Sequence, residues 1–310
     1  MTTPPRFFGL DTVMIDVVLK IAALPLSGSD AVATDRLVTA GGGFNAMSAA
    51  ARQGMDVTYL GQLGCGPFAD IAAHALQGER IDVPIAARTD MDLGFCVVLV
   101  ESNGERTFVT SPGAEGTLSR AELFESVPRA GDFVFFSGYN FVYEAIRDET
   151  VAWLRQLHSD VVVAFDPGPR VLDIEEAILH EVMRATHWLL CNESEATSMT
   201  GVDNVREAIN RLSTFNAHGG VVVRTGGDGC LASVGGDEII EVPALRANVV
   251  DTNGAGDVHN GVLLAELARG TTVREALTRA NIGAAVAIGS FGPATCPSRD
   301  VITEKLAAIH

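Results

Sequence analysis

Short apolar runs alternate with longer amphipathic stretches through the first two thirds of the chain. Phe7–Val18, Val57–Gly61, Phe133–Ser137, Val161–Asp166, His187–Cys191 and Val221–Arg224 have the β-branched and aromatic content of strands. Between them, Asn45–Gln53, Phe68–Gln77, Glu144–Leu157, Ile174–Arg184 and Val205–Phe215 read as helices. Strands that are apolar throughout, separated by helices, predict an α/β fold with a mostly parallel sheet covered on both faces. The last third changes character: Gly254–Ala268, Val273–Ile288 and Asp300–Ile309 follow one another as helices, the first two rich in small residues that permit close packing.

Two stretches depart from this alternation. Ala31–Thr39 is strand-like but mixed in polarity, and Gly94–Val100, Asn103-Gly104 and Arg106–Thr110 read as a β-hairpin with Asn-Gly at its turn. Extra strands early in an α/β chain predict a small β lid over one end of the sheet. With no internal repeat, low-complexity tract or Pro/Ser linker, residues 1–310 are expected to form one domain, its lid strands contributed by about 31–39 and 94–110.

Composition adds exclusions. At 310 residues, 47% hydrophobic and 20% charged, the chain can build a large core and is far from a disordered composition. Its net charge is −17, and Lys20 and Lys305 are its only lysines. Such a surface repels nucleic acid and anionic lipid, while leaving room for a local basic pocket. No run approaches the roughly 20 apolar residues that cross a bilayer, and the start of the chain lacks a secretory pattern. Five cysteines, odd in number and never paired as Cys-x-x-Cys, fit reduced thiols in a cytoplasm.

The most informative segment is Asp251-Thr252-Asn253-Gly254-Ala255-Gly256-Asp257, which leads directly into a helix. The free N–H groups and dipole of a helix's first turn favour an anion, and small residues let a phosphate approach the backbone. Asp257 beside that site is positioned to take a proton from an attacking hydroxyl. The dipole is expected to keep it ionised at neutral pH. The plainer alternative is that Asp257 caps the helix and the glycines make a tight turn. Gly41-Gly42-Gly43-Phe44-Asn45 opens an earlier helix, bare of side chains until Asn45 offers donors and an acceptor for vicinal hydroxyls.

Two further motifs support two readings each. Asn192 and Glu195 share one face of an opening helix, as a site for the water shell of Mg²⁺ or as an ordinary helix cap. Arg224-Thr225-Gly226-Gly227-Asp228-Gly229 follows a strand, as a polar turn beside a nucleotide or as a hairpin turn into Cys230–Val234. Gly64-Cys65-Gly66-Pro67-Phe68-Ala69 matches the form of a dinucleotide fingerprint. Pro67 removes an amide where pyrophosphate would bind, and the segment does not open the fold. A Walker-A loop is excluded, because no glycine-rich stretch holds a lysine. The histidines show no metal-ligand spacing, and His259 reads as a helix-surface residue.

Together these residues resemble the ribokinase-like carbohydrate kinase family, also called the phosphofructokinase-B family, over essentially the whole chain. The carriers are the Asp-Thr-x-Gly-Ala-Gly-Asp string at 251–257, the early Gly-Gly-x-Gly-x-Asn segment continuing to Gly54 and Gly64, and Asn192-x-x-Glu195. The resemblance implies a three-layer α/β/α fold with a β-sheet lid, and transfer of the ATP γ-phosphoryl group to a sugar hydroxyl. It implies Asp257 as base and the amides of Gly254, Ala255 and Gly256 as the anion hole. Asp16, Gly41, Gly42 and Asn45 would then grip the sugar. Asn192 and Glu195 would serve Mg²⁺ and phosphate, with Arg224, Thr225, Gly226 and Gly229 beside the nucleotide. Asp251 and the backbone of Asn253 would hold a monovalent cation such as K⁺, and lid strands would pair in a homodimer.

Departures from the family pattern, at Gly42 and Phe44, at Cys65-Gly66-Pro67 and at Met47, are expected on the acceptor side, where they count against ribose. A nucleoside acceptor on the same scaffold is the alternative, with Phe44 as the candidate aromatic lining. A non-catalytic ligand-binding homologue is the third reading. Arg36, Arg88, Arg106 and Arg170 are the basic residues able to fold inward toward a phosphorylated acceptor.

Overall fold

The computed structural model describes residues 3–125, 127–142, 144–215, 219–236 and 238–309. The chain opens with β1 (Arg6–Gly9), β2 (Val13–Lys20), β3 (Asp35–Gly42), α1 (Phe44–Arg52), β4 (Asp56–Tyr59), α2 (Pro67–Gly78), β5 (Phe95–Val100) and β6 (Arg106–Ser111). The middle runs α3 (Arg120–Phe124), β7 (Phe133–Ser137), α4 (Tyr139–Val142), α5 (Glu144–Leu154), β8 (Val162–Asp166), α6 (Glu176–Ala185), β9 (Trp188–Asn192), α7 (Glu193–Thr200) and α8 (Val205–Phe215). It closes with β10 (Gly220–Arg224), β11 (Cys230–Val234), β12 (Ile240–Val242), α9 (Ala255–Ala268), α10 (Val273–Ala287) and α11 (Arg299–Ala307).

Eight strands form the central sheet in the order β12-β11-β10-β9-β8-β7-β1-β4. The run from β4 to β10 is parallel, and β11 and β12 continue it antiparallel. Because side chains alternate across a strand, each strand feeds two cores. Phe7, Phe133 and Phe135 pack with α1, α9 and α10 on one face, while Phe8, Val134 and Phe136 pack with α5, α6 and α8 on the other. The result is a three-layer α/β/α arrangement with a second, smaller sheet.

That second sheet is four-stranded, ordered β3-β2-β5-β6. Here the structure corrects the single strand expected over Phe7–Val18. The chain breaks at Asp11 and Thr12, so that β1 lies in the central sheet and β2 in the lid. Asp11, buried at the break, accepts hydrogen bonds from Thr12 N (2.8 Å) and Ser137 Oγ (2.6 Å), groups that a continuous strand would leave to its neighbours. The lid strand expected over Ala31–Thr39 is shifted to Asp35–Gly42, paired with β2 from Lys20 back to Val13.

The lid sits on the body through Phe291, which packs with lid residues Val18, Cys96 and Val98. Lys20 Nζ lies 3.9 Å from the centre of the Phe291 ring. At the turn into α2, the amides of Phe68 and Ala69 donate to the Asp92 carboxylate at 3.1 and 2.7 Å. The first-turn donors there that a dinucleotide would need are already used by a side chain of the protein itself.

Candidate active site

Helix α9 begins without a side-chain cap. Its N-cap, Gly254, has φ +73°, and a Cβ there would come within 2.3 Å of the Pro293 carbonyl oxygen. Only glycine suits that turn, and with no side-chain cap the first-turn N–H groups are left for an external acceptor, apart from Ala255 N–H, which donates to Thr252 O at 3.3 Å. Further along, Gly261 lets α9 press against α1, since a Cβ there would meet Ala46 O at 2.4 Å. This close approach brings together residues 212 apart: Asn45 Nδ2 donates to Asp257 Oδ2 at 3.0 Å. Asn45 Oδ1 is buried with no hydrogen-bond partner among the described residues.

A cleft of about 430 Å³ opens over this pair, and its walls come from both sheets. Alternation along the lid strands aims Met14 and Asp16 of β2, and Arg106, Phe108 and Thr110 of β6, into it. The body contributes Asp11, Asn45, Tyr139, Asp166, Glu195 and Arg224, together with Thr252–Asp257. A second cavity, of about 760 Å³, lies between Gly226-Gly227, the 244–249 segment and α10. The two share Thr252 and Ala255, so the start of α9 is a common wall.

Carboxylates crowd the first cleft. Withdrawal from water pushes the pKa of Asp257 up to about 7, the charges of Asp166 and Asp11 adding to it while Asn45 and Arg224 oppose it. Asp16 is also pushed up to about 7, by burial and then by the charge of Asp257. Glu195 reaches about 7, by burial and then by Asp166, and Asp11 reaches about 6, chiefly by burial. The helix dipole therefore does not keep Asp257 at an ordinary carboxylate pKa, because desolvation outweighs it. Arg224 is the cleft's internal counter-charge. Its guanidinium meets Asp166 Oδ2 at 3.0 Å, lies 3.9 Å from Glu195 Oε2 and donates to Asn260 Oδ1 at 2.5 Å.

A family model described as pfkB family carbohydrate kinase matches residues 8–300. The chain belongs to the pfkB carbohydrate kinase family. An uncharacterised sugar kinase of Escherichia coli strain K12 is 30% identical over 306 residues, spanning 97% of this chain and 94% of that protein. The ribokinase of Bacillus subtilis strain 168 is 25% identical over 299 residues, covering 94% of this chain and 96% of the relative. Among solved structures, the adenosine kinase of Sinorhizobium meliloti superposes with a TM-score of 0.84 at 19% identity, covering 99% of this chain and 100% of that one. Arabidopsis thaliana ribokinase complexed with ribose and ATP superposes at 0.78 with 21% identity, covering 98% and 99%. The structural likeness speaks for the fold, and the sequence likeness for the activity class: this chain is a sugar kinase, a phosphotransferase with an alcohol acceptor.

In this sugar kinase, the sequence-expected residues gather unevenly. Asp16, Gly42, Asn45, Asn192, Glu195, Arg224, Asn253, Gly254, Ala255, Gly256 and Asp257 all line the first cleft. Gly41 does not. Its missing Cβ makes room for Asp16, whose Oδ2 would lie 2.2 Å from that atom. Asn192 and Glu195 form a reciprocal cap on α7: each backbone N–H donates to the other's side-chain oxygen at 2.8 Å. Both still face the cleft. Gly226 lines the second cavity, whereas Thr225 and Gly229 close the β10–β11 hairpin turn with a Thr225 N to Gly229 O bond of 2.8 Å.

Three expectations fail. Phe44 and Met47 are buried in the core behind α1, Met47 against Gly9, so neither lines an acceptor pocket. The cleft's aromatic surfaces come instead from Phe108, Phe135 and Tyr139. His259 is buried, not on the helix surface. Its pKa is pushed down to about 3 by burial first, which keeps the ring neutral. Of the inward-folding arginines, only Arg106 reaches the cleft. Arg88 bonds to Thr117, while Arg36 and Arg170 are exposed.

Were Mg²⁺ bound with a nucleotide, Asn192, Glu195 and Asp166 would supply oxygens to its water shell, while Asn192 Oδ1 and Glu195 Oε2 stay engaged in the α7 cap and Asp166 Oδ2 accepts from Arg224 and Asn260. Among the described residues no three His, Cys, Asp or Glu side chains gather to hold a metal by themselves. Asp251 does not fit a free monovalent cation. One oxygen takes the Arg106 guanidinium and Asn253 N (2.9 Å), and the other takes Gly292 N (3.1 Å). The Asn253 backbone thus offers its N–H to Asp251 as a donor.

Proposed function

We propose that this sugar kinase transfers the γ-phosphoryl group of ATP to a hydroxyl of a small sugar, with Asp257 as general base and the amides of residues 254–256 as the anion hole. The observation that carries the reading is the Asn45–Asp257 contact at an uncapped helix start, on the wall shared by two cavities. The second cavity, flanked by Gly226 and the 244–249 segment, has room for the nucleoside of ATP, whose terminal phosphate then reaches Ala255 and Gly256. The first cavity takes the acceptor, with Asp16 and Asn45 gripping its hydroxyls.

ATP would enter as its Mg²⁺ complex, in which the ion neutralises phosphate charge, and Asn192 and Glu195 would hold that ion through water. The acceptor oxygen forms its bond to the γ-phosphorus as the bond to the β-phosphate oxygen breaks, and ADP leaves. The hydroxyl proton passes to Asp257, whose other oxygen is fixed by Asn45. A carboxylate with a pKa of about 7 is a stronger base than an ordinary one and is half ionised at that pH, so a large ionised population remains near neutrality. The amides meet the charge that develops on the phosphoryl oxygens.

A nucleoside acceptor is the second reading, favoured by the Phe108 and Tyr139 surfaces in the cleft. The open edges of the lid, β3 and β6, also support pairing of two copies as a homodimer. The test is ADP release from MgATP across neutral pentoses, hexoses, sugar acids and nucleosides. Turnover on a sugar supports the proposal, turnover on nucleosides alone moves it to the second reading, and turnover on none favours a ligand-binding homologue.

A further inference from the structure

Asp251 is the point where three parts of the molecule meet. Its carboxylate holds the amide of Asn253, inside the turn that leads into the anion hole. It also holds the amide of Gly292, whose neighbour Phe291 is packed under the lid and whose other neighbour, Pro293, abuts Gly254. The third contact comes from the lid itself. Arg106, on edge strand β6, pairs with Asp251 and donates from Nη1 to Thr252 Oγ1 at 3.2 Å.

The charges around this point leave few alternatives. Arg106 and Arg224 are the only basic side chains among the cleft-lining residues, and Arg224 is committed to Asp166, Glu195 and Asn260. Without Arg106, Asp251 would be a buried carboxylate, 7% exposed, with two amide donors and no compensating positive charge. A mobile cation could then supply that charge. With Arg106 in place, a mobile cation would face a guanidinium at contact distance.

We propose that Arg106 is a lid-borne counter-cation: carried onto Asp251 by the lid, it supplies the positive charge beside the anion-hole turn and makes the kinase independent of K⁺. This rests on the sugar-kinase reading for its role in turnover. Arg106 acts as a positioning residue, through Asp251 and the Asn253 amide, and ties ordering of the anion hole to lid closure.

The test compares KCl with tetramethylammonium chloride at a matched ionic strength of about 0.1 M, so that screening is equal. Melting temperature of the full-length protein is read for the wild type, R106M and R106K, followed by turnover on an acceptor found by the ADP screen. The wild type and R106K should melt alike in both salts. R106M should melt lower in tetramethylammonium and recover in KCl. Its turnover should fall about tenfold without K⁺, the size of one charge-assisted hydrogen bond, and be restored in part by K⁺.

A wild type that melts higher or turns over faster with K⁺ overturns the proposal, as does an R106M that ignores K⁺. Should R106M fail to fold, R106Q takes its place, keeping a polar stem without the charge. Melting needs no acceptor, so failure of the acceptor screen and failure of this inference are read separately.

Discussion

Asn45 and Asp257 lie 212 residues apart and share a hydrogen bond of 3.0 Å, which joins the first helix after the lid strand to the helix that carries the proposed base. The bond fixes one carboxylate oxygen and orients the other. It also leaves Asn45 Oδ1 buried without a partner among the described residues, and in the proposed reading that oxygen accepts from the sugar hydroxyl.

N45A should therefore act on both parts of the reaction. Losing the bond that favours the ionised carboxylate raises the pKa of Asp257, so the acidic limb of the rate profile moves to higher pH. Loss of the acceptor contact raises the KM for the sugar. A pH profile of kcat/KM distinguishes this from a general loss of fold, which would lower the rate at every pH alike.

The rate itself should climb with pH through a midpoint at about 7 and level off above it, once Asp257 has lost its proton. An ordinary carboxylate base would give a plateau reached well below pH 6. Initial-rate measurements at saturating MgATP between mildly acid and mildly alkaline pH separate the two.

Stability of the ligand-free protein should run the other way. Asp16, Glu195 and Asp257 are pushed up to about 7 and Asp11 to about 6, so the folded state binds protons that the unfolded chain has already released. Their contribution is fully present below the unfolded pKa values, near 4, and is lost as pH rises through about 7. Thermal melts should show a lower Tm at pH 8 than at pH 6, and D257N should reduce the difference.

Much of this was legible in the sequence because it depends on local chemistry. The helix–strand alternation is a pattern of single segments, and the 251–257 string carries its own turn and helix start. What the sequence hid depends on partners far along the chain. The break at Asp11 is set by Ser137, the facing of Phe44 and Met47 by the packing of α1 onto the sheet, and the burial of His259 by where α9 lies against the rest of the fold. Arg106 was visible only as one of several arginines, since its partner Asp251 is 145 residues away.

G254A tests the turn. A residue with a side chain at φ +73° costs about 1–2 kcal/mol for the left-handed backbone alone. Displacing the Pro293 carbonyl adds to that. Turnover should collapse while the protein still folds, with G78A as the control: a Cβ at Gly78 meets nothing within 4 Å, and that variant should melt like the wild type. Chemical denaturation and ADP release measure the two effects.

R224M removes the counter-charge of the cleft and leaves Asp166 and Glu195 facing each other. Breaking a buried pair in this way costs about 3 kcal/mol or more. The loss should shrink at low pH, where Glu195 takes up a proton, and urea unfolding at two pH values reads it.

The most direct measurement is turnover of D257N on the best acceptor, with nucleotide and acceptor affinities measured alongside. Loss of the base should lower kcat by about 10²–10⁴-fold with both affinities within a few-fold of the wild type. A D257N enzyme that turns over at a rate near that of the wild type would contradict the assignment of Asp257.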